Sequence, residues 1–228
     1  MAAAVSEQTK LLVVDSPQNP TGSVLLHEFP EEIRDFPVEH DLFVISDESY
    51  EKIPFNSATH HSLATLDGMG KQMITVNGVS KVYSMRYFQL GYPDAPLNLI
   101  DPILRVRQYI RTCAPSLSQW SAVEVIERTP TARSSRCLPT GASASSNAPD
   151  AIDEMTCPDS TGVFYVLPTI PDGFNEEDEF VWSLLRDAGV ALVPGTVFRD
   201  IGERCVRIAY SNYLDRIDEA FDRLETWL

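Results

Sequence analysis

The sequence lacks the marks of membrane and exported proteins. No apolar run approaches the roughly 18–20 residues that a helix needs to cross a bilayer. The N-terminus has neither a basic start nor a long apolar core, so we expect no secretory signal and a cytoplasmic location. The hydrophobic fraction of 43% is that of an ordinary globular protein and excludes wholesale disorder.

Positive charge is also scarce. The chain has 33 aspartates and glutamates against 18 lysines and arginines, a formal net charge of -15. Binding nucleic acid without regard to sequence requires clustered basic side chains, so we expect no nucleic-acid partner. The few basic residues are mostly arginines, and an acidic surface poor in lysine suits a cytoplasm of high salt, where ions screen the self-repulsion. We take this as a hypothesis about habitat.

The cysteines are few and far apart. Cys113, Cys137, Cys157 and Cys205 include no CxxC pair, whereas zinc and iron–sulfur sites usually have closely spaced ligands. We expect no metal site and four thiols kept reduced in the cytosol.

Three short apolar runs predict a mainly parallel sheet. LLVV begins at Leu11, LFVI at Leu42 and MITV at Met73. Continuous apolar runs are typical of strands buried on both faces. The spacing of about 31 residues matches a strand–helix–strand unit, which takes roughly 30 residues. The first half of the chain therefore reads as an α/β layer.

The second half predicts a smaller α/β domain after an irregular segment. Residues 129–149 are dominated by Ser, Ala, Pro and Thr, have no apolar period and predict a loop or disorder. The flanking patterns predict one or two helices over 102–127 interrupted near Pro115, strands at 162–168, 190–195 and 205–211, and helices at 176–188 and 214–228.

Polar residues follow each of the three early strands. Asn19, Asp47, Tyr50, Ser80 and Lys81 come after their carboxyl ends, which is where open α/β sheets bind ligands. Ordinary turn chemistry explains any one of them alone, since Asn, Asp and Ser favour turns. Their combination favours a site.

The motifs that carry these residues resemble the signature blocks of the class I/II aminotransferases, which belong to fold type I of the enzymes that use pyridoxal 5'-phosphate (PLP). The resemblance covers most of residues 5–128 and 160–228. It rests on five blocks in the family order: DSPQNPTG, ISDESYEKIPF, ITVNGVSKVYS, LVPGTVF and VRIAYS. A lone NPTG or SK would mean little.

The resemblance implies a role for each residue. Lys81 would form the Schiff base with PLP and shuttle the proton at Cα, with Ser80 beside it in the cofactor site. Asp47 would hold the ring nitrogen protonated, and Asn19 and Tyr50 would donate hydrogen bonds to the ring's phenolic oxygen.

Arg207 would bind the substrate's α-carboxylate, because its planar fork suits bidentate capture. Arg204 is interpreted as a surface residue. His60 and His61 are placed in a polar loop with no catalytic role, and Trp120 and Tyr165 are expected to pack.

Three departures from the family pattern stand out. In SMRYFQLGY, Gln89 occupies the place of the family's phosphate-binding arginine, and Arg86 and Tyr87 replace a Thr–Gly pair. The chain also begins just before the NPTG block, without the family's N-terminal phosphate loop and stacking aromatic. Residues 129–149 stand where the family has helices of the small domain. These departures lead us to expect an N-terminally truncated member.

The sequence predicts a PLP-dependent aminotransferase that moves an amino group between an amino acid and a 2-oxo acid. A family-type homodimer is implied. The expected fold is α/β, with the C-terminal part of the large domain at 1–110, an interdomain helix at 111–128, an irregular segment at 129–159 and the small domain at 160–228. Two alternatives remain: a catalytically inactive truncated remnant, and a PLP lyase or decarboxylase of the same fold.

Overall fold

The computed structural model describes residues 4–25, 30–129 and 155–228. The chain divides into two compact units. Unit 1 comprises Met1–Pro17, Val24–Ile53 and Thr59–Ala132, and unit 2 comprises Gln18–Ser23, Pro54–Ala58 and Arg133–Leu228. Most of the predicted irregular segment lies outside the described residues, as does Cys137, and the predicted domain limits stay a prediction.

Unit 1 contains a four-stranded sheet in the order β1-β2-β3-β4. Its strands are β1 (Leu11–Asp15), β2 (Phe43–Asp47), β3 (Met73–Gly78) and β4 (Gly91–Asp94). The first three strands are parallel, as predicted, and β4 pairs antiparallel with β3. The sequence pattern missed β4 because its GYPD run has neither an apolar block nor alternation, and its proline suits an edge strand.

Four helices of unit 1 accompany this sheet: α1 (Pro30–Glu39), α2 (Val79–Val82), α3 (Leu97–Ile110) and α4 (Ser116–Arg128). The break between α3 and α4 falls at Pro115, which caps α4, as the sequence predicts. However, α3 begins at Leu97 and carries Pro102 inside it. The prediction that Trp120 packs is wrong, because its side chain on α4 is 75% exposed.

The core of unit 1 lies around β2 and β3. Val44, Leu63, Met69 and Met73 are buried together. The prediction that all three parallel strands are buried on both faces is wrong for β1 and for the start of β2. Leu11 and Val13 of the edge strand β1 point to an exposed face, with Val13 63% exposed, and Phe43 of β2 is 44% exposed.

The described part of unit 2 contains a three-stranded antiparallel sheet and two helices. The strand order is β5-β7-β6. The elements are β5 (Tyr165–Val166), β6 (Val193–Pro194), β7 (Val206–Ala209), α5 (Glu177–Ala188) and α6 (Leu214–Trp227). All five fall within predicted elements, and Gly189 ends α5 in the left-handed conformation at φ 69°, as expected of a C-terminal glycine.

Two apolar clusters hold unit 2 together. One is centred on Phe180 and Leu184 of α5, and the other on Val166, Ile208 and Ile217. These residues come from both helices and from β5 and β7, so the helical faces predicted from apolar spacing are the faces that pack on the sheet. Among the described residues of both units, no helix is long and apolar enough to cross a membrane.

Candidate active site

Asp47 ends the central strand of unit 1's parallel trio. The register places Asp15 of β1 and Val76 of β3 beside it. Its carboxylate accepts hydrogen bonds from the Ser49 backbone N–H at 3.0 Å and from the Ser49 hydroxyl at 2.6 Å. This local turn orients a half-buried anionic group at the carboxyl end of β2.

Ser80 and Lys81 lie on α2, the short helix that directly follows β3. The sequence Val79-Ser80-Lys81-Val82 explains the arrangement. Val79 and Val82 are three positions apart on one face and are 0% and 4% exposed, which anchors the helix. Ser80 and Lys81 are left half-buried between them.

Lys81 and Tyr50 are in contact. The Nζ atom of Lys81 lies 5.4 Å from the centroid of the Tyr50 ring, and that ring is only 5% exposed. A cation over a buried ring face is attracted by the ring quadrupole. Tyr50 follows β2, the strand that ends at Asp47, and Lys81 follows β3. The structure therefore brings together two predicted site residues at the ends of neighbouring strands.

A buried carboxylate that the sequence did not single out lies beside Asp47. Glu48 is 1% exposed. Its Oε1 accepts from the hydroxyls of Ser46 at 3.0 Å and Ser62 at 2.8 Å, and its Oε2 lies 3.1 Å from Nε2 of His60. Burial alone raises the pKa of Glu48, but the hydrogen bonds from His60, Ser62 and Ser46 and the charge of His60 hold it below its ordinary value.

The His60 side chain is buried, although the residue lies in a loop, as predicted. Its side chain is 7% exposed, while His61 next to it is exposed. No sequence pattern pairs a glutamate with a histidine twelve residues later, so this contact was visible only in the structure.

Arg207 and Asn19 form a pair within unit 2. Nη1 of Arg207 donates to Oδ1 of Asn19 at 3.0 Å. The guanidinium lies between two rings, 4.5 Å from the centroid of Tyr165 and 4.8 Å from that of Phe198. Tyr165 does pack, as predicted, but its partner is a predicted site residue, and Phe198 was not singled out at all.

The Nε atom of Arg207 is buried and has no hydrogen-bond partner within residues 4–25, 30–129 and 155–228. A buried N–H donor without an acceptor costs free energy, about 1–3 kcal/mol. The arginine at this position is therefore held between rings and one amide with donor capacity left for an anionic ligand.

The NPTG block is a tight turn of unit 2. The Gly22 backbone N–H donates to the Gln18 carbonyl at 2.8 Å, and the Gly22 carbonyl accepts from Thr161 and Gly162. Gly22 has φ 73°, and a Cβ there would overlap the side chain of Ser160. Only glycine meets both conditions, which explains the last residue of the motif and the placement of Asn19.

Gln89 and Arg86 lie together after α2. Gln89 is exposed and its Nε2 donates to the Arg86 carbonyl at 2.7 Å. The Arg86 guanidinium stacks on the exposed Tyr87 ring at 5.0 Å and donates to its hydroxyl. Arg204 is exposed, as predicted, and donates to the carbonyls of Phe174 and Pro171 and to the Asp172 carboxylate.

Comparisons with known proteins show the family of this chain. The sequence model of the family described as aminotransferase class I and II matches residues 1–224. The chain is 39% identical to an aspartate aminotransferase of Pyrococcus abyssi and 34% identical to aromatic-amino-acid aminotransferase 2 of Thermococcus litoralis, each over 235 residues. Both alignments cover 97% of this chain and 58% of the relative.

A solved structure is also similar to this chain in fold and sequence. The aromatic aminotransferase of Pyrococcus horikoshii OT3 matches with a TM-score of 0.95 and 35% identity, covering 100% of this chain and 62% of that one. The chain thus spans less than two thirds of the length of these relatives. It belongs to the class I and II aminotransferase family, whose cofactor is PLP.

Proposed function

We propose that this chain carries the cofactor-linking lysine and the substrate-binding arginine of a PLP-dependent aminotransferase. The reaction transfers an amino group between an amino acid and a 2-oxo acid. The observation that carries the proposal is the position of Lys81, on a short anchored helix after β3, against the buried Tyr50 ring and at the end of the strand next to Asp47.

The donor set fits the reactive end of PLP. A primary amine, a carboxylate and a phenol lie at the ends of adjacent parallel strands in unit 1. In unit 2, Arg207 has a buried Nε without a partner among the described residues. At the phosphate end, Gln89 provides an uncharged side chain where the family has an arginine, so we expect weaker binding of the phosphate there.

Each residue has a distinct task in this proposal. When bound, PLP supplies an aldehyde that condenses with amines and a ring that withdraws electrons from the amino acid's Cα. The Nζ of Lys81 would hold the cofactor and would carry the proton to and from Cα. The carboxylate of Asp47 would stabilise a proton on the ring nitrogen, and Ser80 would bind the cofactor beside Lys81.

In the role that the resemblance implies, Tyr50 and Asn19 would each be a hydrogen-bond donor to the cofactor's phenolic oxygen. The Oδ1 of Asn19 accepts from Arg207, which orients its Nδ2 as a donor. Arg207 would bind the α-carboxylate through its planar fork, and the flanking Tyr165 and Phe198 rings restrict the position of that fork. The substrate class is therefore an amino acid with an intact α-carboxylate.

The proposal has two further parts, both implied by the resemblance. Two copies of the chain form the homodimer typical of the family, and the protein is cytoplasmic. Neither the inactive remnant nor the lyase or decarboxylase has an observation in its favour among the described residues or in the comparisons.

Product analysis tests the reaction type. The full chain is incubated with PLP and an isotopically labelled amino acid, with and without a 2-oxo acid acceptor. A transaminase passes the label to the acceptor and turns over only in its presence. Turnover that continues without acceptor and releases ammonia or carbon dioxide favours the lyase or decarboxylase, and no turnover in either case favours the remnant.

A further inference from the structure

The turn that carries Asp47 and Tyr50 is held by Glu48. The Glu48 backbone N–H donates to the Val76 carbonyl of β3 at 2.9 Å, and its own carbonyl accepts from the Glu51 N–H. This bond from Glu48 closes the Asp47–Val76 pair, the last pair between β2 and β3. Contacts that restrain the Glu48 side chain therefore also restrain the peptide bond between Asp47 and Glu48.

Three donors fix that side chain. Two hydroxyls, from Ser46 and Ser62, meet one carboxylate oxygen, and Nε2 of His60 meets the other. Such bonds to a charged group are short and strong compared with neutral ones. Since Ser62 and His60 belong to a segment well after β2, they tie this separate part of unit 1 to the end of the strand.

The geometry assigns the proton of His60. Glu48 has its pKa held below the ordinary value, so it accepts, and Nε2 must donate. Nδ1 is buried and has no hydrogen-bond partner in the described part of the chain. Among the described residues, the polar partner of the His60 ring is thus Glu48.

If this polar cluster served only to fill space in the core, its burial would cost free energy. A buried ionic pair is often no more stabilising than apolar side chains of the same volume, and its best-supported use is to impose one geometry. The geometry imposed here is that of the turn bearing Asp47.

We propose that the Glu48–His60 pair positions Asp47: it holds the turn after β2 in one conformation and so fixes the carboxylate that faces the cofactor's ring nitrogen. The proposal rests on the proposed function for the role of Asp47. His60 and Glu48 are positioning residues, and neither touches the cofactor or the substrate.

Amide hydrogen exchange of the full chain without PLP tests the tie directly. In His60→Asn the shorter amide falls short of Glu48, whereas the amide nitrogen of His60→Gln reaches the position of Nε2. We expect peptides covering residues 48–51 to exchange about tenfold faster or more in H60N, since a lost restraint raises local opening. H60Q and the exposed neighbour control His61→Asn should match the wild type.

Equal exchange in H60N and H61N would overturn the proposal. If H60N does not fold, Glu48→Gln carries the same test, because it keeps the side-chain volume and loses the charge that the three donors meet. Faster exchange at residues 48–51 in E48Q supports the pair, and unchanged exchange there contradicts it.

A spectroscopic titration with PLP tests the consequence for Asp47. A less well held carboxylate keeps less positive charge on the ring nitrogen, and less charge there favours a proton on the Lys81 nitrogen. The pH midpoint of the visible absorption band should rise by about 0.5 unit or more in H60N and stay unchanged in H60Q and H61N. A midpoint in H60N equal to that of H61N contradicts positioning.

The two measurements separate the two claims. Absence of a visible band in the wild type would reject the proposed function, whereas the exchange comparison needs no cofactor and decides on the Glu48–His60 tie by itself.

Discussion

Arg207 and Asn19 are joined by a hydrogen bond although they lie 188 positions apart: Nη1 donates to Oδ1 at 3.0 Å. The two residues come from β7 and from the NPTG turn, which unit 2 holds together. The bond uses one of the five donors of the guanidinium and leaves its fork for a carboxylate.

Replacing Arg207 by lysine should weaken binding of the amino-acid substrate. Lysine keeps the charge but loses the planar fork and the stacking between Tyr165 and Phe198. A lost bidentate contact to a charged group is worth about 1.5–3 kcal/mol, so KM for the donor should rise about tenfold to hundredfold. Steady-state kinetics over a range of donor concentrations measures this.

The matched control is Arg186→Lys, because Arg186 is exposed and pairs only with the neighbouring Ser183 and Asp187 in the contacts of the described residues. Its KM should equal that of the wild type. An R207K variant with an unchanged KM would contradict the role given to Arg207.

Replacing Gln89 by arginine should tighten PLP binding. Gln89 is exposed and holds only a backbone carbonyl through its amide, and its left-handed φ of 51° is no harder for arginine than for glutamine. Gaining a charge-assisted contact to phosphate would lower the Kd about tenfold or more. Fluorescence titration with PLP measures the affinity.

Gln119→Arg places the same charge on the exposed face of α4 and controls for net charge. Similar tightening in Q119R and Q89R would mean that the effect comes from general attraction of an anion to a less acidic chain.

Much of the fold was predictable because the strands that form it are strongly apolar. The runs at 11–14, 42–45 and 73–76 have no helical period, and their short length favours strands over helices. Helix α1 was missed since its PEEIRDFPVE sequence carries two prolines and little apolar spacing. The exposure of Leu11 and Val13 could not be read from composition, because an edge strand and a central strand look alike in sequence.

The candidate site could likewise be predicted only in part from the sequence. The ends of parallel strands placed Asp47 and Lys81 by topology alone, and their roles stay predictions. Glu48, His60 and Phe198 were missed because no sequence motif pairs Glu48 with His60 or Phe198 with Arg207. Tyr165 was expected to pack, but nothing in a lone tyrosine of an apolar run indicates that its partner is an arginine.

The carboxylate of Glu177 should make the stability of the protein depend on acid. Glu177 is 4% exposed and accepts from the Arg204 backbone N–H at 3.2 Å. Burial raises its pKa, but hydrogen bonds from Thr196 and from backbone N–H groups hold the pKa below the ordinary value of 4.5. As the pH falls, the Glu177 carboxylate is therefore protonated at a higher pH in the unfolded chain than in the folded protein.

The stabilisation from Glu177 is fully present above the unfolded pKa near 4.5 and is lost as the pH falls through the lower folded value. Glu177→Gln should lower the free energy of unfolding at neutral pH by about 1–3 kcal/mol and should lose less stability than the wild type between about pH 5 and pH 3. Urea denaturation followed by circular dichroism at several pH values measures both.

Glu179→Gln, at an exposed position of the same helix, should behave as the wild type. If the free energy of unfolding depends on pH in the same way in all three proteins, the role given to Glu177 is refuted.

Phe180 should be a main source of stability in unit 2. It is 0% exposed, and its ring contacts those of Phe174 and Trp227 at 5.1 Å and 5.7 Å. Phe180→Ala leaves a cavity and should cost about 3–5 kcal/mol in the free energy of unfolding. Trp182→Ala on the same helix removes a side chain that is 64% exposed and should change stability by about 0.5 kcal/mol or less. Equal losses in the two variants would show that the α5 core is not packed as described.

The central claim is that Lys81 is the amine that links to PLP. Incubation of the full chain with PLP, reduction with borohydride and mass mapping of the peptides reports which lysine has been modified. The account predicts a visible absorption band and a single reduced adduct at Lys81, both absent in Lys81→Ala and retained in Lys71→Ala, which changes an exposed lysine of the same unit. An adduct spread over Lys10, Lys52 and Lys71, or no adduct in the wild type, would contradict it.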